Sequence, residues 1–336
     1  MSRTDQVIPA PRLYMAPLKG VTDYIFRNAF AGHFPGIDLA VAPFIAAVNG
    51  NRLKKRYIRD LLPENNQAMP VIPQILSRTA QGFVFLANLF YDMGYETTNW
   101  NLGCPFPMSP EKNRAAFLLP HGDLIEAFLE EAVPCLKGKM SIKARLGLLD
   151  NQELLRLIPV LNRFPIEEVI IHPRTGMQRY EGKPDLSACK ECIADLVHPV
   201  VYNGDIRSFK DFQLLAEKFP TIDRWMIGRW LLVDPFLPLA IKTGKDACLN
   251  GKEKRKQFHD DLFEQYRDVL NGPKHLLDRM KGLWSYTQSA FQDGSDGLER
   301  IRQAGTMDAY QQAADHFFQT HDVLTAGGNS LEDALE

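Results

Sequence analysis

The amino-acid sequence predicts an α/β protein: a (β/α)8 TIM barrel over residues 1–240, then a helical bundle over 241–325 and a short tail over 326–336. Three observations lead there. Short β-rich runs alternate with helical patterns eight times over about 235 residues, the usual size of such a barrel. In nearly every run the apolar residues come first and a chemically capable residue comes last, as expected where all strands end at one mouth. Beyond about residue 240 the strand pattern stops and amphipathic helical patterns take over.

The runs are RLYMAPL (12–18), IDLAVAPF (37–44), MPVIPQIL (69–76), ETTNWNLG (96–103), KMSIKARLG (139–147), EEVIIHPRT (167–175), HPVVYNGDI (198–206) and RWMIGRWL (224–231). Apolar residues fill them, and Gly or Pro punctuates most ends. Between them lie helical patterns such as TDYIFRNAF, AQGFVFLANLFYDMG and SFKDFQLLAEKF. An open doubly wound sheet would usually carry a G-x-G-x-x-G turn after its first strand, and MAPLKGVTD (15–23) is not one. In the bundle, KEKRKQFHDDLFEQYRDVL, HLLDRMKGLWSYTQSAF and MDAYQQAADHFFQTHDVL read as amphipathic helices, and TAGGNSLEDALE as a frayed end.

Composition excludes several classes. The 336 residues are 45% apolar and 24% charged, with a formal charge of -2, so a polyanionic partner must be met by local patches. No apolar run approaches a bilayer span and MSRTDQVIPAPR lacks a signal-peptide core, so a soluble, cytoplasmic protein is expected. Five scattered cysteines suggest reduced thiols. Cys189 and Cys192 form a C-x-x-C, but no second pair accompanies it, and DLSACKECIADLV reads as an amphipathic helix with both thiols inward. A structural role is expected for them.

The polar residues at the run ends are Gln74, Asn101 and Cys104, Lys143 and Arg145, His172 and Arg174, Asn203 and Asp205, and Arg229. Close carboxylate pairs and His/Asp/Glu clusters are missing from this set, which argues against glycoside hydrolysis and metal-assisted hydrolysis, and no metal is expected. YNGDI (202–206) and IGRWLLVDP (227–235) put Gly-containing turns and an arginine where barrels commonly bind phosphate, so a phosphorylated cofactor fits. Taken alone, Asn203-Gly204 reads as a simple turn. Lys143 sits in an apolar strand and needs an anion to offset its desolvation, a need that reduced flavin meets through the negative charge near N1. His172 is either a satisfied core histidine or a neutral partner for the same ring, and Gln74 either reaches that ring or caps a loop.

MAPLKGVTDYIFR, NWNLGCP, SIKARLG, IIHPRT with Tyr180, YNGDI and MIGRW occur in the order and approximate spacing of the tRNA-dihydrouridine synthases, which the chain resembles from about residue 13 to 235; KGLWSY (281–286) resembles part of that family's helical domain. The resemblance implies a barrel holding FMN, reduction of that flavin by NADPH, and a helical bundle that grips tRNA or another structured RNA. A monomer is expected. By position, Pro17, Gln74, Lys143, His172, Asn203, Gly204, Asp205, Gly228 and Arg229 fall where the family binds FMN; Asn101, Arg145 and Tyr180 fall where it handles uracil, and Cys104 where it donates a proton.

This reading explains why a thiol stands between Gly103 and Pro105. Saturating the C5=C6 bond of uracil needs a hydride at C6 and a proton at C5, and a thiol is mostly protonated near neutrality where a carboxyl is ionised. The flanking Gly and Pro turn the chain and fix its direction. A stacked uracil must be splayed out to reach a barrel mouth, at a cost that phosphate contacts offset, and NRLKKRYIRD (51–60) and KEKRK (252–256) are the basic stretches available. Two readings compete: a flavin-dependent reductase of a free pyrimidine or enone, and an RNA-binding flavoprotein without reductase activity. The chain departs from the family in CPFPMSPEKNRAAFLLP, where Met108 stands near an expected lysine and residues 110–114 replace glycines, and at Pro173, where glycine is usual. Lys112 or Arg114 is expected to supply the missing charge.

Overall fold

The computed structural model describes residues 10–47, 58–106, 114–245 and 251–324. Ten parallel strand segments make one sheet: β1 (Arg12–Met15), β2 (Leu39–Val41), β3 (Ile45–Ala46), β4 (Val71–Ile72), β5 (Gln74–Leu76), β6 (Thr97–Leu102), β7 (Lys139–Gly147), β8 (Ile166–Thr175), β9 (Val200–Tyr202) and β10 (Arg224–Ile227). They fall into eight staves. Only Pro73 separates β4 from β5, and while β4 pairs with β2, β5 pairs with both β3 and β6. Since β1 joins β10 to β2, the ring closes through that stave. MPVIPQIL is therefore split where the sequence reading has one run, because Pro73 has no N–H for the ladder, although its carbonyl still accepts from Asn99 N–H at 2.8 Å. The seventh run is strand only over Val200–Tyr202, and the eighth ends at Ile227, with Trp230–Val233 already helical.

Helices α1 (Tyr24–His33), α2 (Ala80–Asp92), α3 (Gly122–Ala132), α4 (Glu153–Leu161), α5 (Leu186–Asp195) and α6 (Phe209–Lys218) intervene between staves. Strand parity sorts the side chains between two cores. Leu13, Met15, Ile142, Ala144, Val169 and Ile171 pack outward among the helices, whereas Tyr14, Ala16, Leu39, Val41, Ile170, Val201 and Met226 form a separate inner cluster. At the base of the barrel, buried Glu168 accepts from Tyr14 Oη and Arg224 Nη1, each at 2.9 Å. Cys189 and Cys192 lie fully buried in α5, where burial pushes the Cys192 thiol up to about 12 and the Cys189 thiol upward as well. Both are packing residues, as the helical pattern suggests.

Two short helices, α7 (Trp230–Val233) and α8 (Leu237–Thr243), follow the last strand, and α8 approaches the barrel so closely that a Cβ on Gly36, at φ +114°, would sit 2.7 Å from the Pro238 carbonyl carbon. Then come α9 (Gly251–Val269), α10 (Pro273–Thr287), α11 (Gly294–Gln303) and α12 (Met307–Thr320). Their apolar faces meet around Trp284, Tyr310, Phe317 and Phe318. This region shares a core with the barrel, since Phe258 of α9 packs edge-on against Phe26, Phe30 and Phe34.

Asp23 pins the two parts together. Its Oδ1 caps α1 by accepting from Phe26 N–H and also accepts from Tyr266 Oη at 2.7 Å, while Oδ2 accepts from Arg279 at 2.6 Å. In the KEKRK run, expected to meet phosphate, three of the four basic residues also have partners within the fold. Arg255 is buried and donates to Val233 O, Lys252 pairs with Asp322, and Lys256 with Asp260 and Asp315. Most of the other basic stretch, residues 51–57, lies outside the described residues, as do loop residues 107–113 and the tail. No helix among the described residues is long and apolar enough to cross a membrane. Replacing Asp23 by Ala removes a cap and two charge-assisted hydrogen bonds, so a loss of about 2 kcal/mol in urea unfolding is expected; an unchanged midpoint would show that the carboxylate does not dock the helices.

Candidate active site

At the C-terminal ends of the strands lies a cavity of about 440 Å³, within the range of roughly 300–1,000 Å³ usual for ligand pockets. All thirteen residues that the family resemblance assigns to flavin, uracil or proton transfer line it: Pro17, Gln74, Asn101, Cys104, Lys143, Arg145, His172, Tyr180, Asn203, Gly204, Asp205, Gly228 and Arg229. The barrel brings them together from loops and strands spread over more than 200 residues.

Cys104 is a free, half-buried thiol just beyond β6. Its position is set by the Asn101 side chain, whose Oδ1 accepts from the N–H groups of Gly103 (3.0 Å) and Cys104 (2.9 Å). Asn101 Nδ2 in turn donates to Gln74 Oε1, Gln74 Nε2 to Asn99 Oδ1, and Asn99 Nδ2 to Ser141 Oγ, each at 2.8 Å. A chain of amides thus crosses three adjacent strands inside the barrel and ends on the backbone of the thiol loop. Arg145 grips the same loop from β7, its Nε donating to Gly103 O at 2.9 Å and its Nη1 to Thr175 O at 2.8 Å. Asn101 and Arg145, expected to handle substrate, therefore also position Cys104.

Lys143 projects from β7 among these groups. Burial, helped by the like charge of Arg145 and opposed by Cys104, lowers its pKa to about 7. No carboxylate of the described residues is among its charged neighbours. His172 is held well below its ordinary value by burial, with Arg145, Lys143, Arg174 and Arg229 adding to the effect, so its ring is neutral. Arg174 Nη1 lies 3.3 Å from His172 Nε2; a guanidinium can only donate, so Nε2 accepts and Nδ1 carries the proton.

The wall beyond β9 and β10 is built on Asp205. Both its oxygens accept from Arg174, at 2.9 and 2.6 Å, and Arg207 and Arg229 approach at 3.0 and 3.8 Å. Burial raises its pKa, but the arginine hydrogen bonds and charges outweigh that and leave it lowered. Asn203 Nδ2 donates to Met226 O, tying the two strand ends. Gly204 leaves no alternative, since a Cβ there would lie 2.1 Å from Tyr202 Oη. Tyr180 overhangs the cavity with Arg229 4.3 Å and Arg145 5.5 Å from its ring centre. Among the described residues Asp205 is the one carboxylate in a lining that carries Lys19, Lys143, Arg145 and Arg229. The cavity suits an anionic ligand.

The sequence reading misses several lining residues. Lys19, its ammonium 4.8 Å from the Phe44 ring centre, lies on the β1 side, and Tyr286 reaches the cavity from α10. Arg174, which the sequence reading placed at the end of its strand, stands behind the lining and holds Asp205; Tyr286 was not legible, because nothing local connects it with the barrel. Among the described residues no group of three or more His, Cys, Asp or Glu could hold a metal.

Over residues 14–320 the sequence matches the dihydrouridine synthase (Dus) family. The chain belongs to that family. It is 26% identical over 288 residues to tRNA-dihydrouridine synthase B of Pasteurella multocida, covering 81% of this chain and 84% of that protein. With tRNA-dihydrouridine(16) synthase of Vibrio vulnificus it shares 24% identity over 331 residues, covering 93% and 99%. Among solved structures, a variant of NCR from Zymomonas mobilis aligns with a TM-score of 0.50 at 14% identity, over 73% of this chain and 90% of that one. TcOYE with pHBA aligns with a TM-score of 0.51 at 9% identity, over 77% and 95%. These two support the barrel fold. The family membership makes this dihydrouridine synthase relative an enzyme.

Lys143 has a pH signature. A folded-state pKa near 7 against 10.5 unfolded means that below pH 7 the folded protein bears the whole cost of a buried ammonium, and that this cost fades as pH rises through 10. In the ligand-free protein Lys143→Met is therefore expected to be more stable than the parent at pH 6.5, with the gap markedly narrower at pH 9.5. Urea unfolding at both values measures this; a gap independent of pH would contradict the shift.

Proposed function

We propose that the enzyme reduces a uridine of tRNA to 5,6-dihydrouridine, with FMN as the bound cofactor and NADPH as the reductant. The observation that carries the reading is a single cavity in which a positioned thiol, an ammonium without a carboxylate partner among the described residues and a neutral histidine come together. The residues fit a flavin. Lys143 offers the cation that a reduced isoalloxazine needs, Gln74 and His172 offer polar contacts to the ring, and Asn203, Gly204, Gly228 and Arg229 offer the phosphate end. Asp205 keeps Arg174 and Arg229 in place for this. The curated relatives are named for tRNA-dihydrouridine synthesis, which supports tRNA as the substrate.

When bound, the reduced flavin supplies the hydride that saturates C6 of the uracil. Cys104 delivers the proton to C5, and its direction is fixed by the two backbone N–H groups that Asn101 holds and by the Arg145 hydrogen bond to Gly103 O. Tyr180, which lines the cavity with the Arg145 and Arg229 guanidinium groups near its ring, covers the base and excludes water in this reading.

Cys104→Ala separates the chemistry from the binding. The variant is expected to purify yellow and to oxidise NADPH at the parental rate, while forming dihydrouridine in tRNA at least about 100-fold more slowly. Mass spectrometry of the treated tRNA measures this, and equal product formation would remove Cys104 as the proton donor. A colourless parent protein that FMN does not reconstitute would count against the cofactor itself.

A further inference from the structure

Four large apolar side chains stand exposed on the loops beside the cavity, which Phe106 and Tyr180 line: Phe106 (52%), Leu149 (70%), Met177 (64%) and Tyr180 (40%). They lie on the loops after β6, β7 and β8, three strands adjacent in the sheet. The loops are joined: Gly176 N–H donates to Gly147 O at 2.8 Å, Met177 N–H to Leu148 O at 3.0 Å, and the Arg179 guanidinium lies 5.7 Å from the Phe106 ring centre. Arg179 is exposed, and no carboxylate of the described residues pairs with it. It also adopts φ +51°, a left-handed conformation that costs a residue other than glycine about 1 kcal/mol. An exposed apolar arc and a strained arginine laid on an aromatic ring both cost stability in the isolated protein.

We infer that this arc is a stacking platform for a nucleobase of the RNA strand adjoining the reduced uridine. The inference rests on RNA being the substrate. Splaying one nucleotide out of a stack exposes the faces of its neighbours, and those faces need new partners. An aromatic ring and a guanidinium plane are the two side-chain surfaces on which bases stack irrespective of sequence, and here they lie together two residues from the thiol. Met177 and Leu149 extend the platform with apolar contact, and the exposed charge of Arg179, which pairs with no carboxylate among the described residues, suits a polyanionic strand. A protein partner would be served by the apolar surface alone and gives no reason for the arginine's strain.

The test uses the full-length, flavin-loaded protein and an unmodified tRNA transcript, with affinity read by fluorescence anisotropy across a salt series. Phe106→Leu and Arg179→Ala are each expected to weaken binding roughly 5- to 100-fold, with Phe106→Trp restoring it. Phe106→Leu should leave the slope of log K against log salt unchanged, since stacking releases no counterions. Arg179→Gly, which relieves the positive φ, should unfold no more easily than the parent and still lose affinity, so that weak binding is not a folding defect; the flavin absorbance of both Arg179 variants should match the parent. Unchanged affinity in Phe106→Leu and Arg179→Ala would overturn the platform while leaving the RNA reading intact. So would a shift in oligomeric state at unchanged RNA affinity, which would make the arc a protein contact. A parent protein that binds no RNA would overturn both.

Discussion

The closed ring of parallel strands is the constraint on which the rest of this molecule depends. Closure gives every strand an inside and an outside, and parallel order sends every C-terminal end to one mouth. Along β7, Met140, Ile142, Ala144 and Leu146 turn outward into the helical shell, which leaves Ser141, Lys143 and Arg145 inside. The same alternation sets Trp100 and Leu102 against the helices and Asn99 and Asn101 within. The interior thereby holds two zones: polar groups from Gln74 round to Asn203, and an apolar cluster of Tyr14, Ala16, Leu39, Val41, Ile170, Val201 and Met226. The polar zone is affordable because its amides satisfy one another and Asp205 engages several arginines.

Two kinds of order meet at the thiol loop. The amide chain from Ser141 to Asn101 is made of neutral groups within a rigid sheet, so it fixes the backbone of Gly103 and Cys104 without changing the charge near the sulfur. Charge comes instead from Lys143 and Arg145, both held in less ionisable states than in water because burial opposes their protonated forms. A cluster of cations this close is uncomfortable by itself, and an anionic ligand relieves it. The helical region has its own attachment: Asp23, at the end of the first strand's loop, holds Tyr266 and Arg279, and α10 then carries Tyr286 to the cavity.

Much of the fold was legible because the barrel is written in local terms. Each strand's apolar run and its terminal polar residue recur within ten residues or so, and all eight staves occur where those runs lie. The boundaries were less legible: Pro73 divides a run that hydropathy presents as continuous, and Asn203-Gly204-Asp205 is loop although it follows a strand without a break in pattern. The cavity-lining set was read from strand-tip position and a family resemblance, and every member lines one cavity. What that reading gave Asn101 and Arg145 was contact with substrate, and it overlooked their hold on the Cys104 loop, because hydrogen bonds between side chain and backbone leave no mark in composition or period.

By itself, the sequence determined the alternation of strands and helices, the inward parity of Lys143, Arg145, His172 and Asn101, and the turn that presents a thiol between glycine and proline. Those follow from short-range physics: backbone geometry, the period of two, and the missing N–H of proline. Only the tertiary structure decided that Tyr286 and Lys19 share a cavity, that the KEKRK run serves the fold through Arg255 and its neighbours, and that Phe106 and Arg179 meet across the rim. These are contacts between segments far apart in the chain, set by which surfaces remain to be covered once the ring has closed, and no local pattern encodes that.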